Sequence, residues 1–172
     1  GLPVIPMTEE QKYVFDLKGW ICLPGLLTEE QLAPVREHQM KFLYERDSLP
    51  AEEQNNHGGV SQILLDNPAV VGVLNEIISH QRLASEDCYG FRFDHTYTSH
   101  RQAGHDNFNP HGGGGFFSFG GSSHYYQMQP EKIHAGLVRV VWELNEVVKG
   151  KGGTCLVPGS HKANLTSAQE KT

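Results

Sequence analysis

The hydrophobic pattern of the chain changes its period near residue 80, and this change restricts the possible folds more than any other feature. Before it, apolar residues recur at helical spacing; after it, apolar and polar residues alternate and glycines accumulate. Helices followed by short strands with glycine turns predict an α+β barrel or sandwich. We expect one domain over residues 1–172, mainly helical over 8–80 and built of barrel strands over 83–165.

Three helices are predicted in the first part of the chain. Thr8 and Thr28 each precede a Glu-Glu-Gln triplet. A threonine followed by glutamine three residues later is a capping box, which starts a helix. The third helix is expected to begin at Asn67-Pro68, because proline is favoured at the first helical position. A short strand is predicted between the first two helices, over residues 20–23.

Three strands are predicted in the second part, over residues 89–98, 133–144 and 154–157. Residues 89–98 alternate aromatic and polar side chains, which places His95 on the same face as the aromatic residues. Valines and Trp142 dominate residues 133–144. A glycine-rich tight turn then predicts that residues 154–157 run back antiparallel to them.

Charge and cysteine usage exclude several classes of protein. The formal net charge of −6 disfavours a broad nucleic-acid surface, and no basic run is dense enough for a membrane surface. No stretch approaches eighteen consecutive apolar residues, so we expect no membrane-spanning helix. The first residues lack a secretory signal. Three dispersed cysteines without a Cys-x-x-Cys motif predict reduced, mostly buried thiols and a cytoplasmic location.

The ten histidines suggest a metal site, since neutral imidazole is the commonest metal ligand. A facial iron site needs two histidines and one carboxylate. On a strand, a carboxylate two residues after the first histidine would point to the same side. No histidine of this chain has Asp or Glu at that offset, and His111 has Gly113 there. Four histidines nevertheless lie in or beside the glycine-rich segment, where a site is expected: His100, His105, His111 and His124.

Two phrases of the sequence resemble phytanoyl-CoA dioxygenase-like proteins. The first contains Phe15-Asp16-Leu17-Lys18-Gly19-Trp20, which is similar to a Phe-Asp-x-x-Gly-Tyr phrase in that family. The second joins the Trp142 strand through Gly152-Gly153 to Pro158-Gly159-Ser160-His161-Lys162. The resemblance spans about residues 8 to 165.

This resemblance implies a double-stranded β-helix (a cupin-like jelly roll) that uses Fe(II), with 2-oxoglutarate as cosubstrate, to hydroxylate a small organic substrate. His111, fifty residues before His161, best matches the family's first iron ligand. Trp142 matches a tryptophan that contacts 2-oxoglutarate, and His95 is the second predicted cofactor-binding residue. His161 is expected to shape the turn after its strand, not to bind iron.

The family's second iron histidine and its 2-oxoglutarate arginine lie on strands well after the Pro-Gly-Ser-His-Lys element. This sequence reaches only Thr172, so we expect a jelly roll incomplete at its C-terminus. Further residues or a partner chain, such as a second copy in a homo-oligomer, would complete it. Two alternatives stay open. One is a non-catalytic cupin-like binding or structural protein; the other is an iron halogenase-like variant in which halide takes the place left by Gly113.

Overall fold

The computed structural model describes residues 4–105, 126–130, 132–150 and 152–162. Helices come first and strands follow, so the predicted α+β class is confirmed. In chain order the elements are α1 (Glu9–Lys18), α2 (Glu29–Tyr44), α3 (Pro68–Ile77), β1 (Ala84–Ser85), β2 (Cys88–Tyr89), β3 (Tyr126–Gln129) and β4 (Lys132–Ala135). Short 3-10 turns occupy Arg46–Ser48, Ala51–Glu53, Gly59–Leu64, Gln81–Leu83 and Ser160–Lys162.

Both sheets are two-stranded antiparallel hairpins. β1 pairs with β2, and β3 pairs with β4 in a register that places Tyr126 opposite Ala135. Within the described residues these two ladders do not close into a barrel.

The three α-helices begin where the sequence predicts. Both predicted capping boxes form: Thr8 and Thr28 accept from the amides of Gln11 and Gln31, whose side chains bond back to the threonine amides. Gly19 caps the C-terminal end of α1. It adopts the left-handed conformation at φ 82°, which is strained for a residue that has a Cβ.

Replacing Thr8 by alanine is expected to lower the free energy of unfolding by about 1 kcal/mol. The hydroxyl accepts from the Gln11 amide at 3.1 Å, and alanine leaves that donor without its cap. Urea unfolding followed by circular dichroism measures the change. Thr8→Ser keeps the hydroxyl and should stay near wild type; equal losses in both variants would contradict the capping role.

One apolar cluster joins the helical part to the second hairpin. It contains Met7, Phe15 of α1, Ile77 of α3, and Ile133 and Ala135 of β4. Tyr126 of β3 packs against its edge. The β3–β4 hairpin is therefore fixed against α1 and α3 by shared burial, which positions β3 beside the C-terminal end of α1.

The predicted strand over residues 89–98 is wrong beyond Tyr89, where β2 ends. Phe93 and Tyr97 are 60% and 59% exposed, and residues 90–98 pair with no strand among the described residues. Alternation records which side chains would share a face, but it does not supply a neighbouring strand. Side chains attach this segment instead, since Asn56 and Gln39 both hydrogen-bond the Thr98 hydroxyl.

The predicted strand over residues 133–144 is reduced to β4, and residues 20–23 and 154–157 form no ladder. Val140 and Val141 are exposed on this run. A valine-rich run favours extended backbone, whereas pairing needs a second strand in register.

The three cysteines are free, as predicted, but Cys22, Cys88 and Cys155 are all exposed, so their predicted burial is wrong. In the part of the chain that the structure describes, no helix has the length and apolar character needed to cross a bilayer.

Candidate functional site

Trp142, the predicted cosubstrate residue, lies half-buried between two exposed neighbours, Val141 and Glu143. This alternation is what extended backbone produces. Glu143 Oε1 accepts from the Thr154 hydroxyl at 2.8 Å and from its amide at 3.3 Å. The Trp142 segment and the segment after the glycine turn are thus adjacent, joined by a side chain where a ladder was predicted.

A second contact holds the Trp142 segment against the helices. Arg36 of α2 donates from Nη1 to the Leu144 carbonyl at 3.3 Å, and its other terminal nitrogen pairs with Glu29. Because Leu144 is two residues beyond Trp142, this bond holds the backbone that carries Trp142 beside α2.

His95, the other predicted cofactor-binding residue, has a side chain that is 66% exposed. Its Nδ1 lies 2.8 Å from Asp94 Oδ2, and Asp94 also faces Arg92. No hydrogen bond or ring contact within the described ranges joins His95 to Trp142.

The predicted metal ligand His111 lies outside the described residues, as do Gly113 and His124. Of the other two histidines of the glycine-rich group, His100 bonds the Tyr44 hydroxyl at 2.8 Å, and exposed His105 accepts from the Gln102 amide. Among the described residues, no group of three His, Cys, Asp or Glu side chains is arranged to hold a metal ion. The described part of the chain therefore does not itself supply an iron ligand set.

The two phrases that carry the family resemblance meet in space. Gly159 donates its amide to the Lys18 carbonyl at 2.9 Å, and the His161 ring bonds the Asp16 carbonyl at 3.0 Å. These carbonyls are among the last four of α1, which have no partner inside the helix. The Pro-Gly-Ser-His-Lys element thus caps the C-terminal end of the helix that contains Phe15-Asp16.

His161 contributes its ring to this cap. A carbonyl can only accept, so Nε2 carries the proton and Nδ1 is bare. The ring packs edge-on against Phe15 and Tyr126, with centroids 6.5 and 4.6 Å away. Burial is the main reason that the pKa of His161 lies below its ordinary value.

The Asp16 carboxylate ties three separate segments together. Its Oδ1 accepts from the Tyr126 hydroxyl at 2.6 Å and pairs with Lys162 Nζ at 2.8 Å. The bonds from Lys162 and Tyr126 hold the pKa of Asp16 below its ordinary value. Burial and the neighbouring carboxylate raise the pKa of Tyr126, so the phenol is a neutral donor. We call Asp16, Tyr126, His161 and Lys162 the α1 junction.

A second cluster of polar side chains, which the sequence analysis did not predict, joins α2 to the turns that follow it. His38 Nδ1 faces the Ser61 hydroxyl at 2.8 Å, and Nε2 donates to the Glu53 carbonyl at 3.0 Å. Gln39 donates to Ser61 Oγ and to the Asn56 carbonyl. Ser61 is fully buried, and His38 and Gln39 are 5% exposed. The sequence feature that could have indicated this cluster is Gln39 on the apolar face of α2, because a buried amide requires hydrogen-bond partners.

Comparison with models of protein families, with curated proteins and with solved structures gives no match to this chain.

Proposed function

We propose that this chain is an Fe(II)/2-oxoglutarate-dependent oxygenase-like protein that hydroxylates a small organic substrate. One observation carries the proposal: the Phe-Asp phrase and the Pro-Gly-Ser-His-Lys phrase, which separately resemble one family, contact each other at the α1 junction. The His161–Asp16 bond joins residues that are 145 positions apart. Such a contact supports a scaffold in which both phrases belong to one domain.

The finer architecture belongs to the same proposal. A cupin-like jelly roll would use the extended segments around Trp142 and Thr154 as strands once further strands pair with them. Their exposed valines, and a backbone that joins no ladder among the described residues, support this completion, because sheet edges and apolar surface are covered in a stable fold. We propose a second copy of the chain as the source of the pairing strands, in a cytoplasmic protein that binds neither nucleic acid nor membrane.

The predicted site assigns His111 to iron and Trp142 and His95 to the cosubstrate. Bound iron and 2-oxoglutarate would supply the oxidising chemistry. Trp142 would contribute a half-buried aromatic wall, and the Arg36 bond to the Leu144 carbonyl would hold that wall in place. His95 would need to exchange its Asp94 bond for a cosubstrate contact.

Replacing His111 by alanine in the full-length protein is expected to abolish iron binding. It should change the free energy of unfolding by less than about 0.5 kcal/mol, since an open site is not core packing. Elemental analysis of protein loaded with Fe(II) under anaerobic conditions gives the iron content. Succinate release from 2-oxoglutarate gives the coupled activity.

His105→Ala is the matched control, because His105 is an exposed histidine of the same glycine-rich region and should retain iron. Unchanged iron content in His111→Ala would contradict the assignment. A wild-type protein that binds no iron would favour the non-catalytic cupin-like alternative. Iron binding that depends on chloride or bromide would favour the halogenase-like one.

A further inference from the structure

We infer that residues 157–162 form a pH-sensitive latch, docked on the C-terminal end of α1 while the His161 ring is neutral and released when the ring is protonated. The latch is held by the Gly159–Lys18 backbone bond, the His161–Asp16 carbonyl bond and the Lys162–Asp16 ion pair. It does not depend on iron or on any cosubstrate.

The docked geometry accommodates only one proton on the ring. Nε2 already donates to the Asp16 carbonyl, so a second proton must go to Nδ1. Nδ1 is buried and has no hydrogen-bond partner among the described residues. Gly19 lies directly against it, and a Cβ on Gly19 would overlap the ring. A proton added to Nδ1 would therefore place a positively charged ring in a position where this N–H is shielded from water and has no acceptor among the described residues, which is costly.

The charges that face the ring do not offset this cost. On α1, Asp16 and the negative end of the helix dipole favour an imidazolium. On the latch itself, Lys162 opposes it, and Lys162 also shares the Asp16 carboxylate with Tyr126 of β3. Tyr126 is neutral. Burial outweighs the attraction, so the pKa of His161 is lowered in the docked state.

The direction of the pH effect follows from proton binding. The released ring binds a proton more tightly than the docked ring, so acid favours release. With one proton involved, docking weakens by at most about tenfold for each pH unit below about 6.5. The Asp16–Lys162 ion pair acts in the same direction at lower pH. Because the pKa of Asp16 is lowered in the docked state, the ion pair stabilises docking above the ordinary pKa of aspartate, and this stabilisation is lost as the pH falls below that value.

Hydrogen exchange at the Gly159 amide tests the latch, because that amide is protected only when it donates to the Lys18 carbonyl. In wild-type protein, protection corrected for intrinsic exchange should be constant above about pH 7 and fall by up to about tenfold per unit below about pH 6.5. His161→Gln keeps an N–H for the Asp16 carbonyl and cannot titrate. Its protection should stay flat down to about pH 5.

His80→Gln and His134→Gln are the controls. Neither residue lies within residues 157–162, and His134, on β4, also has a pKa lowered mainly by burial. Both should keep the wild-type pH response at Gly159. A ring-proton titration of wild-type His161 by NMR adds a measurement that needs no variant, and it should give a pKa below the ordinary value for histidine. Protection at Gly159 that is independent of pH, or that falls equally in His161→Gln, would overturn the latch.

Discussion

Replacing Gly72 by alanine is expected to destabilise the protein, although alanine is the better helix former by about 1 kcal/mol. Gly72 is buried in α3, and a Cβ there would overlap the backbone carbonyl of Ile5. The Ile5 amide donates to the Pro68 carbonyl at 3.1 Å, so this segment is bonded to the helix that it crosses. Backbone cannot rotate away as a flexible side chain can.

The added methyl must therefore displace the segment, which costs the Ile5–Pro68 bond and disturbs Met7 in the core. Overpacking costs about 1–3 kcal/mol and a lost hydrogen bond about 1 kcal/mol, so the net loss should be about 2 kcal/mol after the propensity gain. Urea unfolding measures it. Ala69→Gly, in the first turn of the same helix, is the reverse control and should cost no more than about 1 kcal/mol through propensity. A Gly72→Ala protein that is more stable than wild type would contradict the close approach.

Features set by neighbours in the chain could be predicted from the sequence. Thr8 and Gln11 are three residues apart, so their capping box needs only one turn of helix. Gly19 and Asn67-Pro68 likewise mark helix ends through their own backbone preferences.

Features that need a distant partner could not be predicted in the same way. Residues 89–98 have the alternation of a strand, yet pairing depends on a segment elsewhere, and the structure bonds Thr98 to α2 instead. The prediction that His161 shapes a turn identified its local role. The Asp16 carbonyl that its ring caps lies 145 residues away and leaves no trace in the local sequence.

The same distinction between local features and distant partners applies to the candidate site. The cosubstrate role of Trp142 rests on a phrase of the sequence and stays a prediction. The structure leaves Trp142 half-buried with exposed neighbours and gives it no contact with His95 among the described residues. The sequence predicts for Tyr126 either a substrate-pocket wall or core filling, because it lies in a glycine-rich aromatic segment, and neither prediction includes a hydrogen bond. Its bond to Asp16 becomes meaningful only when β3 lies beside α1.

Replacing Ser61 by alanine is expected to lower the free energy of unfolding by about 2–3 kcal/mol, because two buried polar groups lose a partner at once. His38 donates from Nε2 to the Glu53 carbonyl, so its Nδ1 must accept the Ser61 proton. Gln39 donates to the same hydroxyl at 2.8 Å. Alanine is smaller than serine and provides neither the donor nor the acceptor, and position 61 has no exposed surface.

Exposed Ser48 provides the matched control, and Ser48→Ala should change stability by less than about 0.5 kcal/mol. The sharper test is a double-mutant cycle with His38→Leu, which removes the acceptor that Ser61→Ala leaves with only a longer contact, 3.4 Å, to Gln39 Nε2. In that background, Ser61→Ala should cost at least about 1 kcal/mol less than it does alone. Strictly additive losses would mean that these side chains act independently and would contradict the network.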